Sequence, residues 1–358
     1  MVGGGAMGAS TAYHLARLGA TDVVLLEREA LASGSTSKAA GGIRTQFADE
    51  LNVRIALRSM AEFEALEAAE GIGYRRHGYL FLLDSEPDVE RFRAAQALQH
   101  ALGVPSEMIS PEQAAEIVPG LRTDDLAGAS FCPLDGVAAP EAVVQAWARA
   151  AAAEGVRILQ ATEAVGFHLR GGALEGVATT AGRIRTNTVV CAAGVWSREV
   201  GALAGLDIPV EGEERWVHYT PEKGGLPERL PLTIDFSTGF YVHGEGPGLV
   251  FGGREPELEE VAAHATHRLP VLAELPVQSS WWGFYEMSPD HNAIVGEAAE
   301  PSRFLYATGF SGHGFQQAPA VGEHLAELVV GHRPSLDLSS LALERFAEGR
   351  PREERFVV

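Results

Sequence analysis

Apolar and polar residues form two different patterns along the first thirty positions of the chain. Between residues 6 and 18, apolar side chains recur at the spacing of one helix face: Met7, Ala12, Leu15 and Leu18. Gly19 follows as a helix stop. Residues 23–26 are then continuously apolar, which is typical of a buried parallel strand. The pattern therefore predicts a helix and then a strand at the start of the chain.

The remaining chain predicts helices interleaved with short strands. Helices are predicted over 51–71, 86–102, 111–118, 140–154 and 257–273, and a last one ends at Gly331. Strands are predicted over 78–83, 156–159, 164–169, 174–179, 183–185, 188–192, 216–220, 232–235, 240–243, 249–251 and 304–307. The strands between 164 and 185 form a small meander. The mixture predicts an α/β fold, α+β overall.

Three glycines around the start of the first helix, Gly3, Gly5 and Gly8, satisfy the GxGxxG spacing of dinucleotide-binding turns. The first allows a tight turn, the second lets backbone approach a pyrophosphate, and the third lets the helix pack close to a strand. The helix N-terminus favours an anion through its unpaired N–H groups and its dipole. Glu27 closes the next strand, where a carboxylate can accept hydrogen bonds from both ribose hydroxyls of an adenosine. These features predict a bound dinucleotide without a 2′-phosphate.

The strand that should precede the first glycine is very short. Only Met1 and Val2 stand before Gly3, although the fold needs a central strand of about five residues there. Two explanations are open: the start of the sequence is misassigned or trimmed, or the sheet is weakened and retains its cofactor poorly.

A loop of small and hydroxyl residues, 32–44, follows Glu27 and ends at Arg44. Such a segment can thread beneath a flat ligand and offer hydroxyl and backbone N–H groups, or it can be an ordinary surface loop. Arg44 is accordingly either a ligand contact or a solvated charge.

A second glycine-rich turn, 308–316, joins the last predicted strand to the last helix. Pro319 is expected in the first turn of that helix, where proline is tolerated. The positive end of the helix needs an electron-rich partner. A reduced flavin is such a partner, because negative charge grows at its N1 and C2 oxygen when it accepts a hydride. His313 is either a turn residue or a substrate contact.

The composition narrows the classes of partner. A length of 358 residues suggests two domains, and 28 basic against 48 acidic residues give a net charge of −20, which disfavours nucleic acid and anionic lipid. A small anionic substrate would therefore need a locally basic pocket. The two cysteines, Cys132 and Cys191, suit neither a disulfide framework nor a metal site. We expect a cytoplasmic protein without a membrane span or signal peptide.

The motifs, in this order, resemble the FAD-dependent amino-acid oxidoreductases of the D-amino-acid oxidase superfamily, close to sarcosine oxidase and glycine oxidase. The resemblance covers nearly the whole chain and rests on these segments: the N-terminal GxGxxG with Glu27, the loop from Gly34-Ser35 to Arg44, Ala193-Gly194-x-Trp196-Ser197, Tyr285-Glu-Met-Ser-Pro-Asp290, and Ala307-Thr-Gly-Phe-Ser-Gly-His-Gly-Phe315. It implies a Rossmann-like FAD-binding domain interleaved with an antiparallel-sheet substrate domain. Residues 1–45, 130–205 and 285–358 would form the first, and 46–129 and 206–284 the second.

The resemblance also implies roles for individual residues. Arg44 resembles the arginine that binds the substrate carboxylate, a bidentate task suited to a guanidinium, and Tyr241 resembles a tyrosine that helps close the pocket. Arg254 would supply a second positive charge and His313 a substrate-side contact. Contacts to the cofactor are expected from Gly3, Gly5, Met7, Gly8, Glu27, Arg28, Ser35, Ser37, Lys38, Gly41, Gly42, Val165, Ala193, Gly194, Trp196, Gly283, Ser311, Gly312, Gly314, Phe315 and Gln316.

Four departures from the family pattern refine this expectation. Gly283 stands where monomeric sarcosine oxidases attach FAD through a cysteine, so noncovalent FAD is expected. Val250 stands in place of the oxygen-activating lysine, which favours a dehydrogenase or a subunit of a larger oxidoreductase. Gln316 replaces a second carboxylate-binding lysine, and Arg254 replaces a pocket histidine.

The expected reaction is oxidation of an amine alpha to a carboxylate. A hydride would pass from the C–H next to the amine to flavin N5, and water would hydrolyse the imine. Candidate substrates are sarcosine, dimethylglycine, proline, glycine and D-amino acids, and the electrons would pass to oxygen, a quinone or a partner flavoprotein. Two alternatives are a noncatalytic FAD-binding subunit or assembly factor and, on the first motif alone, an NAD-dependent dehydrogenase.

Overall fold

The computed structural model describes residues 1–356. Its helices are α1 (Ala6–Arg17), α2 (Glu50–Glu70), α3 (Glu86–Ala101), α4 (Pro111–Ile117), α5 (Pro140–Ala153), α6 (Ser197–Leu203), α7 (Leu258–Arg268), α8 (Gly314–Val330) and α9 (Glu344–Ala347). Short 3₁₀ helices lie at Ser35–Lys38, Gly194–Trp196, Pro270–Glu274 and Ser339–Leu341.

The strands fall into two large layers and smaller sheets. They are β1 (Val24–Leu26), β2 (Gly42–Ile43), β3 (Tyr79–Leu83), β4 (Glu107–Ile109), β5 (Gly128–Cys132), β6 (Gly136–Val137), β7 (Arg157–Leu159), β8 (Ala164–Arg170), β9 (Ala173–Thr179), β10 (Gly182–Arg185), β11 (Val189–Cys191), β12 (Glu211–Thr220), β13 (Leu232–Asp235), β14 (Tyr241–Glu245), β15 (Gly248–Gly252), β16 (Ser279–Met287), β17 (Ile294–Glu297) and β18 (Phe304–Thr308).

The N-terminal residues pair at the centre of the first layer. Val2 forms parallel bridges with Leu26 of β1 on one side and Cys191 of β11 on the other. Its N–H donates to the carbonyl of Val190 at 2.9 Å, and its carbonyl accepts from Ala192 at 2.8 Å. Since β7 pairs with β1, and β18 with β11, these few bonds join two parallel pairs into one layer, with β17 antiparallel at its edge.

Helix α1 packs on this layer and against α5 and α8. Gly8 allows the close contact between helix and strand, because a Cβ there would lie 1.9 Å from the carbonyl oxygen of Gly3. Gly322 of α8 allows an equally close contact with α1, because a Cβ added there would lie 2.3 Å from Oγ of Ser10. The two helices that follow the glycine-rich turns are therefore held side by side.

The second layer is an eight-stranded sheet with the order β16-β12-β15-β14-β13-β3-β5-β4. Its neighbours are antiparallel except β3 and β13, which run parallel. The predicted antiparallel sheet is therefore mixed at one position, where strands from two separated parts of the chain meet. The predicted fold class is confirmed, and β8, β9 and β10 form the predicted antiparallel meander.

Two helix predictions were wrong, both at prolines. The single helix predicted over 257–273 ends at Arg268, and a 3₁₀ helix begins at Pro270 after Leu269 leaves helical geometry. Pro319 does not lie in the first turn of its helix, because α8 begins at Gly314 and carries the proline in its interior. Hydroxyl groups of α1 and α2 bond the backbone on either side of it: Oγ of Ser10 donates to the carbonyl of Ala318, and Oγ of Ser59 accepts from the N–H of Ala320.

Eight of these elements were not predicted: β2, β4, β5, β6, β16, β17, α6 and α9. The most important of them is β16, because it pairs with β12 along Glu211–Tyr219 and lies against the 3₁₀ helix Ser35–Lys38. The predicted strand over 216–220 is accordingly the end of a longer strand that begins at Glu211.

The division into two domains stays a prediction. The large sheet takes its strands from residues 79–132 and 211–287. Helix α2, which the predicted division assigns to the substrate domain, packs on α8, and Ile55 and Phe63 belong to the same apolar core as α1. Between residues 1 and 356, no helix has both the length and the apolar character needed to cross a membrane.

Candidate active site

A cavity of about 1150 Å³ lies between the parallel layer and the eight-stranded sheet. This volume exceeds the roughly 300–1000 Å³ of ordinary small-molecule pockets. Most of the residues predicted from the sequence line it: Gly3, Gly5, Met7, Glu27, Arg28, Ser35, Lys38, Gly41, Gly42, Arg44, Ala193, Gly194, Trp196, Tyr241, Gly283, Ser311, Gly312, His313, Gly314, Phe315 and Gln316. Segments far apart in the chain therefore converge on one space.

The other predicted residues, Gly8, Ser37, Val165 and Arg254, do not line this cavity. Gly8 packs α1 against the turn below it, and the side chain of Val165 is 48% exposed, so that Ala164 and its preceding residues line the wall instead. Arg254 lines a neighbouring cavity of about 600 Å³ and donates to the carbonyls of Ser237 and Phe236.

The first glycine-rich turn presents a helix N-terminus to the cavity. Gly5 caps α1 without any side-chain hydrogen bond, and the first turn of the helix holds no acidic residue. Glu27 stands beside it, with Oε2 accepting from the N–H of Gly4 and Oε1 from that of Glu29, both at 2.8 Å. A fixed carboxylate next to an anion-binding helix end matches the ribose and pyrophosphate of a dinucleotide.

The second glycine-rich turn brings α8 to the same cavity. Gly309, Ser311 and Gly312 all have positive φ, and a Cβ on Gly312 would lie 2.6 Å from the ring of Tyr285. His313 caps α8 without a side-chain hydrogen bond to the helix. Two helix N-termini therefore face one space, which suits a ligand with separate electron-rich groups.

The loop that follows Glu27 is fixed along β16. Oγ of Ser35 donates to the carbonyl of Phe284 at 2.7 Å, and Nε1 of Trp281 donates to the carbonyl of Lys38 at 3.1 Å. A Cβ on Gly283 would lie 2.6 Å from Cβ of Lys38, so the glycine permits this contact. Nearby, the guanidinium of Arg28 lies 3.9 Å from the ring centre of Trp196. The loop is thus a wall of the cavity.

Arg44 lies at the cavity wall and is 2% exposed. Its Nη1 donates to the carbonyl of Gln46, while its Nη2 donates to the carbonyl of Phe356 and lies 2.9 Å from Nε2 of His313. Three of its five N–H groups therefore have acceptors in the described part of the chain. Its backbone N–H donates to Oε1 of Gln316 at 2.8 Å, which ties the loop to α8.

The sheet side of the cavity carries a group of aromatic hydroxyls and a second cation. Tyr79, Tyr241 and Tyr285 line it, and loss of hydration raises the pKa of each phenol above its usual value, so all three are neutral donors. Arg215 of β12 also lines the cavity, with its guanidinium carbon 5.0 Å from the ring centre of Tyr285. Its Nη1 donates to Glu213 at 2.7 Å, while its Nε is enclosed without an acceptor among residues 1–356.

Sequence reasoning missed Arg215, Tyr79 and Glu286, which all line the cavity. Arg215 follows an acidic run that does not show strand alternation, so its place in β12 was hidden. Glu286 stood inside a recognised motif but had no assigned role.

FAD fits the residues that line this cavity. The N-cap residues of α1 and α8 make no side-chain cap, although the N–H of Ala6 donates to Oγ1 of Thr36 at 3.1 Å. The carboxylate oxygens of Glu27 can accept further hydrogen bonds from ribose hydroxyls. Across residues 1–356 there is no group of three or more His, Cys, Asp or Glu side chains arranged to hold a metal ion.

Comparison with known proteins agrees with this geometry. Residues 1–328 match the model of the DAO family, described as FAD dependent oxidoreductase. The chain is 29% identical to human mitochondrial sarcosine dehydrogenase, over 100% of this chain and 42% of that protein, and 30% identical to the mouse mitochondrial regulatory subunit of pyruvate dehydrogenase phosphatase, over 96% and 42%. The chain thus spans less than half the length of these relatives. The crystal structure of L-proline dehydrogenase from P. horikoshii superposes with a TM-score of 0.93 at 34% identity, covering 98% of both chains.

Proposed function

We propose, from the premise that the chain belongs to the DAO family of FAD-dependent oxidoreductases, that it oxidises a small amino acid at the C–H next to the amine. The observation that carries the proposal is the convergence of two glycine-rich helix N-termini and a cationic, tyrosine-lined sheet face on one cavity. Bound FAD would accept the hydride at N5, leaving an imine that water hydrolyses.

The residues of the chain would hold the cofactor without a covalent bond. The end of α1 with Glu27 suits the adenosine and pyrophosphate, and the end of α8 suits a ring that gains negative charge. Both cysteines are buried and neither lines the cavity, and Gly283 packs directly on Lys38. These contacts support noncovalent binding.

A carboxylate on the substrate would meet positive charge on the sheet side of the cavity. Arg44 has two N–H groups left for a ligand, and Arg215 has an unpartnered Nε among residues 1–356. We propose Arg215, in place of Arg254, as the second cation of the substrate site. The tyrosine hydroxyls would donate further hydrogen bonds to the substrate carboxylate. Hydride transfer would depend on holding the substrate C–H close to the cofactor and would not require a general base.

Relatives and neighbours narrow the substrate class. Their names include sarcosine, dimethylglycine and L-proline dehydrogenases and glycine oxidases, so we propose a secondary or primary amino acid of this size. Val250, which replaces the lysine expected of fast oxidases, is buried and does not line the cavity. This supports transfer of electrons to a quinone or partner flavoprotein.

A noncatalytic FAD-binding subunit is the second candidate, because the chain is also similar to a phosphatase regulatory subunit. The cations and phenols around the substrate side of the cavity favour the enzyme. A nicotinamide enzyme would leave the second glycine-rich turn without a ligand.

The experiment is an anaerobic titration of the FAD-reconstituted protein with sarcosine, dimethylglycine, L-proline, glycine and D-alanine, followed by the visible flavin band. Bleaching by one amino acid, but not by the matching amine without a carboxylate, is expected. FAD binding without bleaching by any compound would favour the noncatalytic subunit, and failure to bind FAD would contradict both.

A further inference from the structure

Glu286 projects from β16 into the cavity wall between the two turns that follow β11 and β18. Its Oε1 lies 3.4 Å from the position that a Cβ on Gly314 would take, and its Oε2 lies 3.7 Å from that of Gly194. Its own backbone carbonyl accepts from the N–H of Ser311 at 2.9 Å. The carboxyl is therefore fixed beside the N-terminus of α8, where the proposed cofactor would bring negative charge.

The hydrogen bonds around Thr308 show where a proton lies. Oγ1 of this threonine is 3.0 Å from the carbonyl oxygen of Gly194 and 2.9 Å from Oε2 of Glu286. A hydroxyl has one hydrogen to donate, and a carbonyl oxygen can only accept. Both contacts are satisfied if Glu286 carries a proton and donates it to Thr308, which in turn donates to Gly194. If Glu286 were ionised, the single hydrogen of Thr308 could serve only one of these two contacts, and the other would bring two oxygen atoms together with no hydrogen between them.

The electrostatic surroundings agree with this arrangement. Enclosure by protein raises the pKa of Glu286 to about 7, against the opposing effect of hydrogen bonds from Thr308 and from the backbone of Phe310 and Gly309. No neighbouring cation contributes to the shift. Titratable or charged side chains lie on every element packed around it. They are Tyr285 on β16; Glu211, Glu213, Glu214, Arg215, His218 and Tyr219 on β12; Lys38 on the 3₁₀ helix Ser35–Lys38; Cys191 on β11; Tyr306 on β18; His313 in the turn; and Glu323, His324 and Glu327 on α8.

We propose that Glu286 is a proton-holding group of the cofactor site, which stays neutral when FAD binds and weakens FAD binding when it ionises. The inference rests on the proposed function, because it takes FAD as the ligand of this cavity. A carboxylate at this place would repel the anionic dinucleotide and, more strongly, its reduced form. A neutral carboxylic acid removes that repulsion and keeps the hydrogen-bonded chain through Thr308 to Gly194 intact. Glu286 therefore acts as a positioning residue.

The first test is the dissociation constant of FAD for the apoprotein, measured by flavin fluorescence from about pH 5 to about pH 9, which brackets ordinary and raised carboxyl pKa values. For the wild-type protein, the dissociation constant should increase as the pH is raised beyond about 7, approaching a tenfold increase per pH unit. Glu286→Gln should remove this slope, because the amide can donate to Thr308 and accept from the backbone just as the neutral acid does. Glu199→Gln is the matched control, since Glu199 is an exposed acid at the same cavity, and it should keep the slope.

The second test is independent of FAD and of activity. Infrared difference spectra of the wild-type apoprotein between pH values below and above 7 should contain a carboxylic-acid band that is missing from the spectra of Glu286→Gln. Bands from other buried acids with a raised pKa, such as Glu62 and Asp135, should be present in both proteins. Thr308→Ser should leave the position of that band unchanged, and Thr308→Val should shift it, because valine removes the acceptor of the proton.

The outcomes separate the two proposals. An unchanged pH slope in Glu286→Gln, or the same acid bands in the infrared spectra of Glu286→Gln and the wild-type protein, would overturn the role of Glu286 while leaving the proposed function standing. If the wild-type protein binds no FAD at any pH, the proposed function fails, and the infrared band still decides whether Glu286 holds a proton.

Discussion

Nη2 of Arg44 lies 2.9 Å from Nε2 of His313, in the wall of the cavity. A guanidinium can only donate, so Nε2 must accept, and the imidazole must be neutral with its proton on Nδ1. Burial, and then the charge of Arg44, hold the pKa of His313 well below its usual 6.5, and a bond to the backbone of Phe310 only partly opposes them. The histidine in the glycine-rich turn thus positions the buried arginine, and its role toward substrate stays a prediction.

Replacing His313 should show how much this hydrogen-bond acceptor contributes to the free energy of unfolding. His313→Leu leaves one N–H of a buried guanidinium without a partner, which should lower the free energy of unfolding by about 1–3 kcal/mol. His313→Gln has a similar volume and can offer its carbonyl oxygen to Arg44, so its loss should be smaller. Urea unfolding of both variants measures the difference, and equal losses would contradict the acceptor role.

The same histidine predicts a pH dependence of stability. Because its pKa is lowered in the folded state, the unfolded state binds the proton more readily once the pH falls below about 6.5. Stability is therefore full above the unfolded pKa and declines as the pH falls below it, by at most about 1.4 kcal/mol per pH unit from this group. The advantage of the wild-type protein over His313→Gln should shrink between neutral pH and about pH 5. A constant difference in unfolding free energy across that range would refute the assignment of a neutral imidazole.

Substitutions of Arg215 and Arg254 distinguish the two candidates for the second cation. Arg215 lines both the large cavity, beside Tyr285, and the neighbouring one, whereas Arg254 lines only the neighbouring one. Loss of a charge-assisted hydrogen bond of about 1.5–3 kcal/mol corresponds to a roughly ten- to hundredfold rise in KM for Arg215→Gln with an amino-acid substrate. Arg254→Gln should change KM much less.

An uncharged analogue provides the control for this pair. With the methyl ester of the same substrate, Arg215→Gln and the wild-type protein should have similar KM values, because the ester has no carboxylate to lose. A larger effect of Arg254→Gln on the free amino acid would restore the prediction made from the sequence alone.

The parts of the site that the sequence predicted are those set by local chemistry. A glycine-rich turn followed by an amphipathic helix is defined by neighbours a few residues apart, so the start of α1 and the end of α8 were predicted close to their observed positions. The start of α8 at Gly314 lies earlier than the one that Pro319 indicated. The match to a known family then placed Arg44 and Tyr241, which both line the cavity.

The parts that could not be predicted depend on strand pairing between distant segments. Arg215 faces the cavity because β12 pairs with β16 in a register that sets it opposite Gly283, and no local pattern contains that register. The motif did place a very short central strand at Met1 and Val2. Only the bonds of Val2 to Val190 and Ala192 show how so short a segment holds the centre of the layer. The role of Arg254 stays a prediction, since its spacing after a strand says nothing about which of the two cavities it lines.

The error over Pro319 leads to a last prediction about how α8 is held. An internal proline lacks an N–H and disturbs the helix around it, and the hydroxyls of Ser10 and Ser59 bond the backbone of Ala318 and Ala320 at that place. Ser59→Ala should therefore lower the unfolding free energy by about 0.5–1.5 kcal/mol in the wild-type background. In Pro319→Ala, where the helix can close its own hydrogen bonds, the same change should cost less, so a double-mutant cycle should give a coupling of about 0.5 kcal/mol or more. Additive losses would mean that Ser59 only fills space and that α8 accommodates its proline without help from α2.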